Sequence, residues 1–305
     1  MPKIVLPKTD TRDELKITTV KKLGSGTFGK VYQIKYNGKP AALKVVDKST
    51  TKSTIDDLRQ EIDIIYEMIK KFPKCKSKNL LCYVDISEDE DNIYFISDLM
   101  MNDLEKFLSS KHFTKLDGCK QVDVIWNIIN QIIEGLNHLH DAGIIHRDVK
   151  LANILINKSK NKYTVKLADF GLSCLRNICS GMVGTPEFLP PRAVFKKKIT
   201  WTPQDDFYSV GVTLYSILTG GEMMTSGDEI NKYLQDEINM REALKIYNEK
   251  YDERIQILDD IRETMSECSL DTRNKLDKLI ELTKELSRPQ YNKIVSKSFI
   301  KKILN

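Results

Sequence analysis

The sequence predicts an α+β protein built as two unequal lobes, a small β-rich half followed by a larger α-rich half. Three observations carry this. At about 150 residues per folded unit, a chain of 305 residues has room for two. Up to about Met100 the apolar residues fall in short extended runs broken by turns, and beyond Asn102 they recur at helical spacing.

In the first half, the β-rich runs are 17–23, 30–36, 40–46, 81–86 and 93–96, separated by turn signals such as Asn37-Gly38. One helix interrupts them over 54–70, where Ile55, Leu58, Ile62, Ile65 and Ile69 return every three or four residues. In the second half, 120–141 sets Val122, Ile125, Ile129, Ile132, Leu136 and Leu139 on one face and stops at Gly143. The segment 206–218 is apolar nearly all round, which predicts burial. Helices over 273–286 and 291–303 follow, parted by Arg288-Pro289. There is no internal repeat and no low-complexity tract.

Composition narrows the class. With 41% hydrophobic and 30% charged residues, the chain fits an ordinary globular protein and not a collagen-like, coiled-coil or disordered one. The net charge of +5 tolerates anionic partners without demanding nucleic acid. The lysine clusters at 70–78 and 196–198 lack the aromatic interleaving of a nucleic-acid surface and read as solvated loops. No apolar run approaches the ~18 residues of a membrane span, and the N-terminus carries no signal-peptide core. The six cysteines form no C-x-x-C pair, and their spacing suggests neither a zinc site nor a disulfide framework. A reduced intracellular setting, cytoplasmic or nuclear, is expected.

Three stretches carry chemistry. Gly24, Gly26, Gly29 and Val31 form G-x-G-x-x-G-x-V. Alone this is a weak signal, because a Gly-rich hairpin has the same look. Its strand–turn–strand context argues against a dinucleotide-binding turn, while glycines there let the backbone approach phosphate oxygens. Lys44 lies on the third run, and a lysine pointing inward from a strand needs a partner; Glu61 on the following helix is the natural one. At ~4 Å such a pair is worth about 4 kcal/mol of attraction before desolvation. The decisive stretch is His146-Arg147-Asp148-Val149-Lys150-Leu151-Ala152-Asn153, followed by Asp169-Phe170-Gly171. Phosphoryl transfer needs a carboxylate to orient the attacking hydroxyl, cations for the phosphates and oxygen ligands for a metal, and Asp148, Lys150, Asn153 and Asp169 supply those types together.

With these residues the sequence resembles the eukaryotic-type protein kinase family, of serine/threonine type, over about residues 17–303. Gly184-Thr185-Pro186-Glu187, Asp206 to Gly211 and Arg288 add to the match. The resemblance implies a bilobal kinase fold, with an N-terminal extension over 1–16, an N-lobe over 17–98 and a C-lobe over 99–305. It implies transfer of the γ-phosphate of ATP, with Mg²⁺, to Ser/Thr hydroxyls of a protein substrate.

By the same resemblance, Leu23, Gly24, Ser25, Gly26 and Gly29 cover the phosphates. Lys44, braced by Glu61, holds the α- and β-phosphates. Asp148 is the catalytic base, Lys150 neutralises the γ-phosphate, and Asn153 and Asp169 bind Mg²⁺. Val31, Ala42 and Leu155 sandwich adenine, the backbones of Asp98 and Met100 are its hinge partners, and Asp103 reaches the ribose. Lys150 with Thr185 marks the serine/threonine form. An activating protein partner would dock on the helix of 54–70, and with little chain outside the catalytic region an appended regulatory module is not expected.

Departures from the family's pattern shape further expectations. Pro190-Pro191-Arg192 replaces its Ala-Pro-Glu, whose Glu pairs with the late Arg, here Arg288. Two facing arginines repel, so Arg192 is expected to turn away and Arg288 to find another acid or water. Ser97 stands at the gatekeeper position and leaves space behind adenine. Arg147 before the catalytic Asp suggests phosphorylation at Ser180, although Cys174 stands where relatives place a basic residue; Arg59 and Arg176 would compensate. Of three positions that select arginine upstream of the target, Asp103, Ala152 and Ser216, one is acidic, so no strong preference of that kind is expected. Two other readings exist: a binding or scaffolding pseudokinase, motivated by Arg192 alone, and a nucleic-acid binder.

Overall fold

The computed structural model describes residues 17–26, 29–49, 54–160, 162–176, 179–181, 183–195, 199–235, 238–289, 295 and 297–304. The expected extension over 1–16, the lysines at 196–198 and most of the turn before the last helix lie outside them.

The first sheet is antiparallel, formed by β1 (Ile17–Gly26), β2 (Gly29–Tyr36), β3 (Lys39–Asp47), β4 (Tyr83–Glu88) and β5 (Asn92–Ser97) in the order β1-β2-β3-β5-β4. Asn37 and Gly38 both take positive φ, 49° and 76°, as a two-residue hairpin turn requires. The pleat of β3 sorts its side chains. Ala41 and Leu43 pack with Ile34, Tyr94 and Ile96 on the outer face, while Val46 faces Leu58 and Ile65 of α1 (Ile55–Lys71). That alternation also turns Lys44 toward α1.

Thr54 and Asp57 close a capping box at the start of α1. The buried stripe of this helix is Leu58, Glu61, Ile64, Ile65 and Met68, rotated from the stripe read in the sequence, and Ile69 is 38% exposed. The rotation brings Glu61 inward, where it meets Lys44.

The second half opens with β6 (Asn102–Asp103), α2 (Leu104–Leu108) and α3 (Lys111–Thr114) before the long α4 (Gly118–Asp141). The six α4 residues read as one face are all buried, and Gly143 ends the element with φ 79°. β7 (Ile144–Ile145) leads into the His146–Asn153 stretch. β8 (Ile154–Ser159) and β9 (Lys162–Leu167) form a hairpin that pairs with β6, and β10 (Cys174–Leu175) pairs with β7.

Beyond α5 (Pro191–Phe195), α6 (Pro203–Leu218) runs through the core with residues 205–216 all buried. A Cβ on Gly211 would lie 2.5 Å from the Ser287 nitrogen, so only glycine lets the chain after α10 (Leu270–Leu286) cross here. α7 (Gly227–Gln235), α8 (Met240–Arg254), α9 (Ile257–Thr264) and α11 (Lys297–Leu304) complete this half. The sequence reading missed β8, β9, α7, α8 and α9. The strands are short runs inside a helical region, and α9 buries just Leu258 among its side chains. Among the described residues no helix is long and apolar enough to cross a membrane.

The expectation of no disulfide framework is corrected. The fold pairs all six cysteines, as Cys75–Cys82, Cys119–Cys268 and Cys174–Cys179, with Cα–Cα separations of 5.4, 5.5 and 5.5 Å. Cys119 and Cys268 are 149 residues apart and meet through packing at the start of α4, which no spacing rule can read.

Candidate active site

The site lies between the two halves. In the β1–β2 hairpin, Gly24 opposes Val31, Ser25 opposes Lys30 and Gly26 opposes Gly29. Gly29 has φ 125°, and a Cβ there would sit 2.3 Å from the Val45 carbonyl oxygen, so the hairpin can lie this close to β3 with glycine alone. Leu23 is exposed, while Val31, Ala42 and Leu155 are part-buried, as residues on the wall of an open cleft are.

Lys44 Nζ stands 2.9 Å from Glu61 Oε1 and 3.8 Å from Asp169 Oδ1, with the Phe95 ring centroid 5.4 Å away. Burial works against the ammonium, but Glu61 and then Asp169 outweigh it and hold the Lys44 pKa above that of ordinary lysine. The lysine is therefore charged at neutral pH. Asp169 has φ 62°, and Phe170 is fully buried between Tyr83 and His146.

Asp148 is surrounded by donors. Lys150 Nζ lies 2.9 Å from Oδ2, Asn153 Nδ2 donates to the same oxygen at 2.7 Å, and the Thr185 hydroxyl donates to Oδ1 at 2.7 Å. Lys150 also donates to Thr185 Oγ1 at 2.7 Å. Burial alone would raise the Asp148 pKa; the bonds and charge of Lys150, then the Thr185 bond, reverse this and lower it. The carboxylate is an acceptor aimed at a hydroxyl, beside a cation.

The backbone that carries Asp148 is held from below. Asp206 of α6 accepts from the His146 and Arg147 amides at 2.9 and 2.8 Å, and its Oδ2 lies 2.7 Å from His140 Nε2. His146 Nε2 lies 3.1 Å from the Ala168 carbonyl, which ties this loop to the Asp169 turn. The sequence reading singled out Asp206 as a motif without its role and missed His140, whose partner is 66 residues away.

At the expected hinge, Asp98 pairs with Lys166 at 2.8 Å, and Asn157 spans Met101 N and the Leu99 carbonyl. The Met100 amide makes no hydrogen bond among the described residues. Asp103 sits at the lower rim with its carboxylate engaged, capping α2 and pairing with Lys106 at 2.6 Å. Ser97 is buried opposite Ala42 and Tyr83. Arg192 turns to Asp205, and the Arg288 guanidinium lies over the Tyr251 ring at 5.6 Å; the two arginines do not face each other.

A model of the protein kinase domain family matches residues 17–300. The chain belongs to that family. It is similar to a probable serine/threonine-protein kinase, fhkB, of Dictyostelium discoideum, 33% identical over 64% of this chain and 17% of that protein. It is similar to the mouse hormonally up-regulated neu tumor-associated kinase, 32% identical over 66% of this chain and 27% of the relative. A third relative, the serine/threonine-protein kinase dkf-1 of Caenorhabditis elegans, is 29% identical over 71% of this chain and 29% of its own length. The chain thus spans less than a third of these relatives.

Membership in this family implies ATP as phosphate donor together with a divalent metal. The residues fit both. Among the described residues a Cβ on Gly24 would meet no atom within 4 Å, so their packing does not demand glycine there. Among the described residues no group of three or more His, Cys, Asp or Glu could hold a metal. Asn153 and Asp169 supply hard oxygen donors too few for a closed cage, as suits a small cation completed by phosphate oxygens and water.

Proposed function

We propose that this kinase domain transfers the γ-phosphate of ATP to Ser or Thr hydroxyls of protein substrates. The observation that carries this reading is the Asp148–Lys150–Thr185 cluster, an acceptor and a cation joined within 2.9 Å, together with the Lys44–Glu61 pair that reaches Asp169. Asp148 accepts the hydrogen bond of the incoming hydroxyl and orients its oxygen for in-line attack. Lys150 offsets charge on the transferring group, and Lys44, fixed by Glu61, anchors the inner phosphates. Gly24, Ser25, Gly26 and Gly29 close over them with Leu23 at the edge. Mg²⁺, held by Asn153 and Asp169, would neutralise phosphate charge. Adenine would lie between Val31, Ala42 and Leu155, taking the Met100 amide and the Asp98 carbonyl. Asp103 would meet the ribose by leaving Lys106.

The names of the serine/threonine-kinase relatives and the Lys150–Thr185 bond support the Ser/Thr class. The pseudokinase reading rested on Arg192, and the Asp205 contact gives that side chain a structural task. ATP as co-substrate supports a cytoplasmic or nuclear setting, and an activating protein partner on α1 is part of the same proposal. The lobe division, 17–98 and 99–305, places Asp98 at the hinge. The test is transfer of labelled γ-phosphate to a protein substrate. Wild type is expected to transfer, and Asp148→Asn and Lys44→Met to lose the label while still folding. Equal transfer by Asp148→Asn would overturn the mechanism.

A further inference from the structure

The segment after Phe170 is held by a set of contacts that the phosphotransfer chemistry does not use. Among the described residues, several of its main-chain carbonyls receive side-chain donors. Arg147 donates through Nε to Leu172 and through Nη1 to Ser180 at 3.1 Å. Gln60 of α1 donates to Ser173 at 2.8 Å, and the Trp201 indole N–H donates to Gly181 at 2.8 Å. The Arg147 guanidinium also lies 5.9 Å from the centroid of the Trp201 ring. Trp201 is 1% exposed, at the centre of a separate apolar cluster with Ile145, Cys174, Cys179 and Leu189. Behind these contacts, the Arg176 amide donates to Gly143 and the Ser173 hydroxyl to the His146 carbonyl.

Each of these acceptors is a neutral backbone oxygen. A segment ordered by phosphate would instead gather its cations around a side-chain anion. Here Arg147 is 6% exposed and is covered by two carbonyls and an indole face. Burial pushes its pKa down to about 10, against the attraction of Asp206, so it remains charged at neutral pH. The Ser180 hydroxyl belongs to an exposed residue, Cys174 is buried against Cys179, and Arg176 is exposed. No second cation converges on the Ser180 side chain among the described residues. Thr185, which bonds Asp148, lies four residues beyond Gly181, so whatever fixes Gly181 limits where Thr185 can stand.

We propose that Trp201, acting with Arg147, holds the activation segment in its competent conformation through main-chain carbonyls, so that this kinase works with no phosphate on that segment. The proposal rests on the kinase reading and makes Trp201 a positioning residue. It replaces the expectation of activating phosphorylation at Ser180.

The test compares two forms of the full chain, one prepared with a phosphatase and shown by intact mass to carry no phosphate, the other preincubated with Mg-ATP. Both are assayed on dephosphorylated casein and myelin basic protein. The phosphate-free form is expected within about twofold of the preincubated form, and Ser180→Ala within about twofold of wild type. Trp201→Phe keeps a ring and loses the N–H. It is expected to keep its KM for ATP, to lose roughly three- to tenfold in kcat, and to exchange the amides of 179–181 faster. Trp201→Ala is expected to lose more, with melting temperature reported alongside. Activity that appears after phosphorylation alone, or a folded Trp201→Phe with unchanged kcat and exchange, overturns the proposal. Transfer by neither form, in protein that still gains thermal stability from Mg-ATP, overturns the kinase reading as well.

Discussion

Lys44 and Asp148 are ionisable groups whose charged forms burial alone disfavours. Each is kept charged by a named neighbour, Glu61 for the lysine and Lys150 for the aspartate. Lys44→Met should leave Glu61 buried without its partner and lower kcat by about 10² or more, with the loss read in the labelled-phosphate assay. Asp148 has a folded pKa below its unfolded value, so its ionised form stabilises the fold at pH above the ordinary carboxylate range, and that contribution is lost as pH falls through the folded value. Lys150→Ala removes the main opposing cause, and the acid limb of its residual kcat should move to higher pH. Ser97 makes a room-making contrast with larger residues. Bulky N6-substituted purine analogues are expected to inhibit wild type roughly 10–100-fold better than Ser97→Met, since overpacking costs about 1–3 kcal/mol. Equal inhibition of both would refute the space behind adenine.

At the scale of elements, the departure at Arg192 shows how a swapped charge is accommodated. Asp205 is 2% exposed, and burial raises its pKa even with Arg192 and the Thr202 amide bonding it. Arg192→Ala should therefore destabilise by about 2 kcal/mol, read from denaturant unfolding, because the carboxylate keeps Thr202 alone. Adding Asp205→Asn should restore part of the loss; an additive pair would count against the contact. α6 serves the loop above it by a similar logic. Asp206 accepts two consecutive amides, so Asp206→Ala should lower both stability and kcat, while Asp206→Asn retains one acceptor and should lose less of each.

For the whole molecule, the three cysteine pairs form a redox-dependent layer that no motif announced. The Cys119–Cys268 link would close a loop of 149 residues, a constraint of about 4–5 kcal/mol on the unfolded chain when oxidised. Oxidised protein should lose roughly 10 °C in Tm on adding reductant, and thiol titration should find six free groups afterwards. In a reducing compartment the same pairs stand as thiols, with Cys75 exposed and Cys119 half-buried, and the fold rests on its core. An unchanged Tm would show that the pairs lie close without bonding.

The sequence by itself determined the two-lobed order of strands and helices and the face of α4, and it named the candidate residues for the chemistry. Periodicity and ordered motifs are local properties, and 3.6- and 2-residue repeats carry them along the chain. Apolar spacing alone did not determine which way α1 turns: it put Ile69 in the buried stripe, whereas the helix is set by Glu61 meeting Lys44, which leaves Ile69 exposed. The partners of Arg192 and Arg288, the seat of Asp206 under the His146–Asn153 loop and the grip of Trp201 on Gly181 came from tertiary structure alone. Each is a contact between groups whose separation in the chain says nothing of their distance, and burial makes each one count: a polar group removed from water must find a partner wherever the fold supplies it.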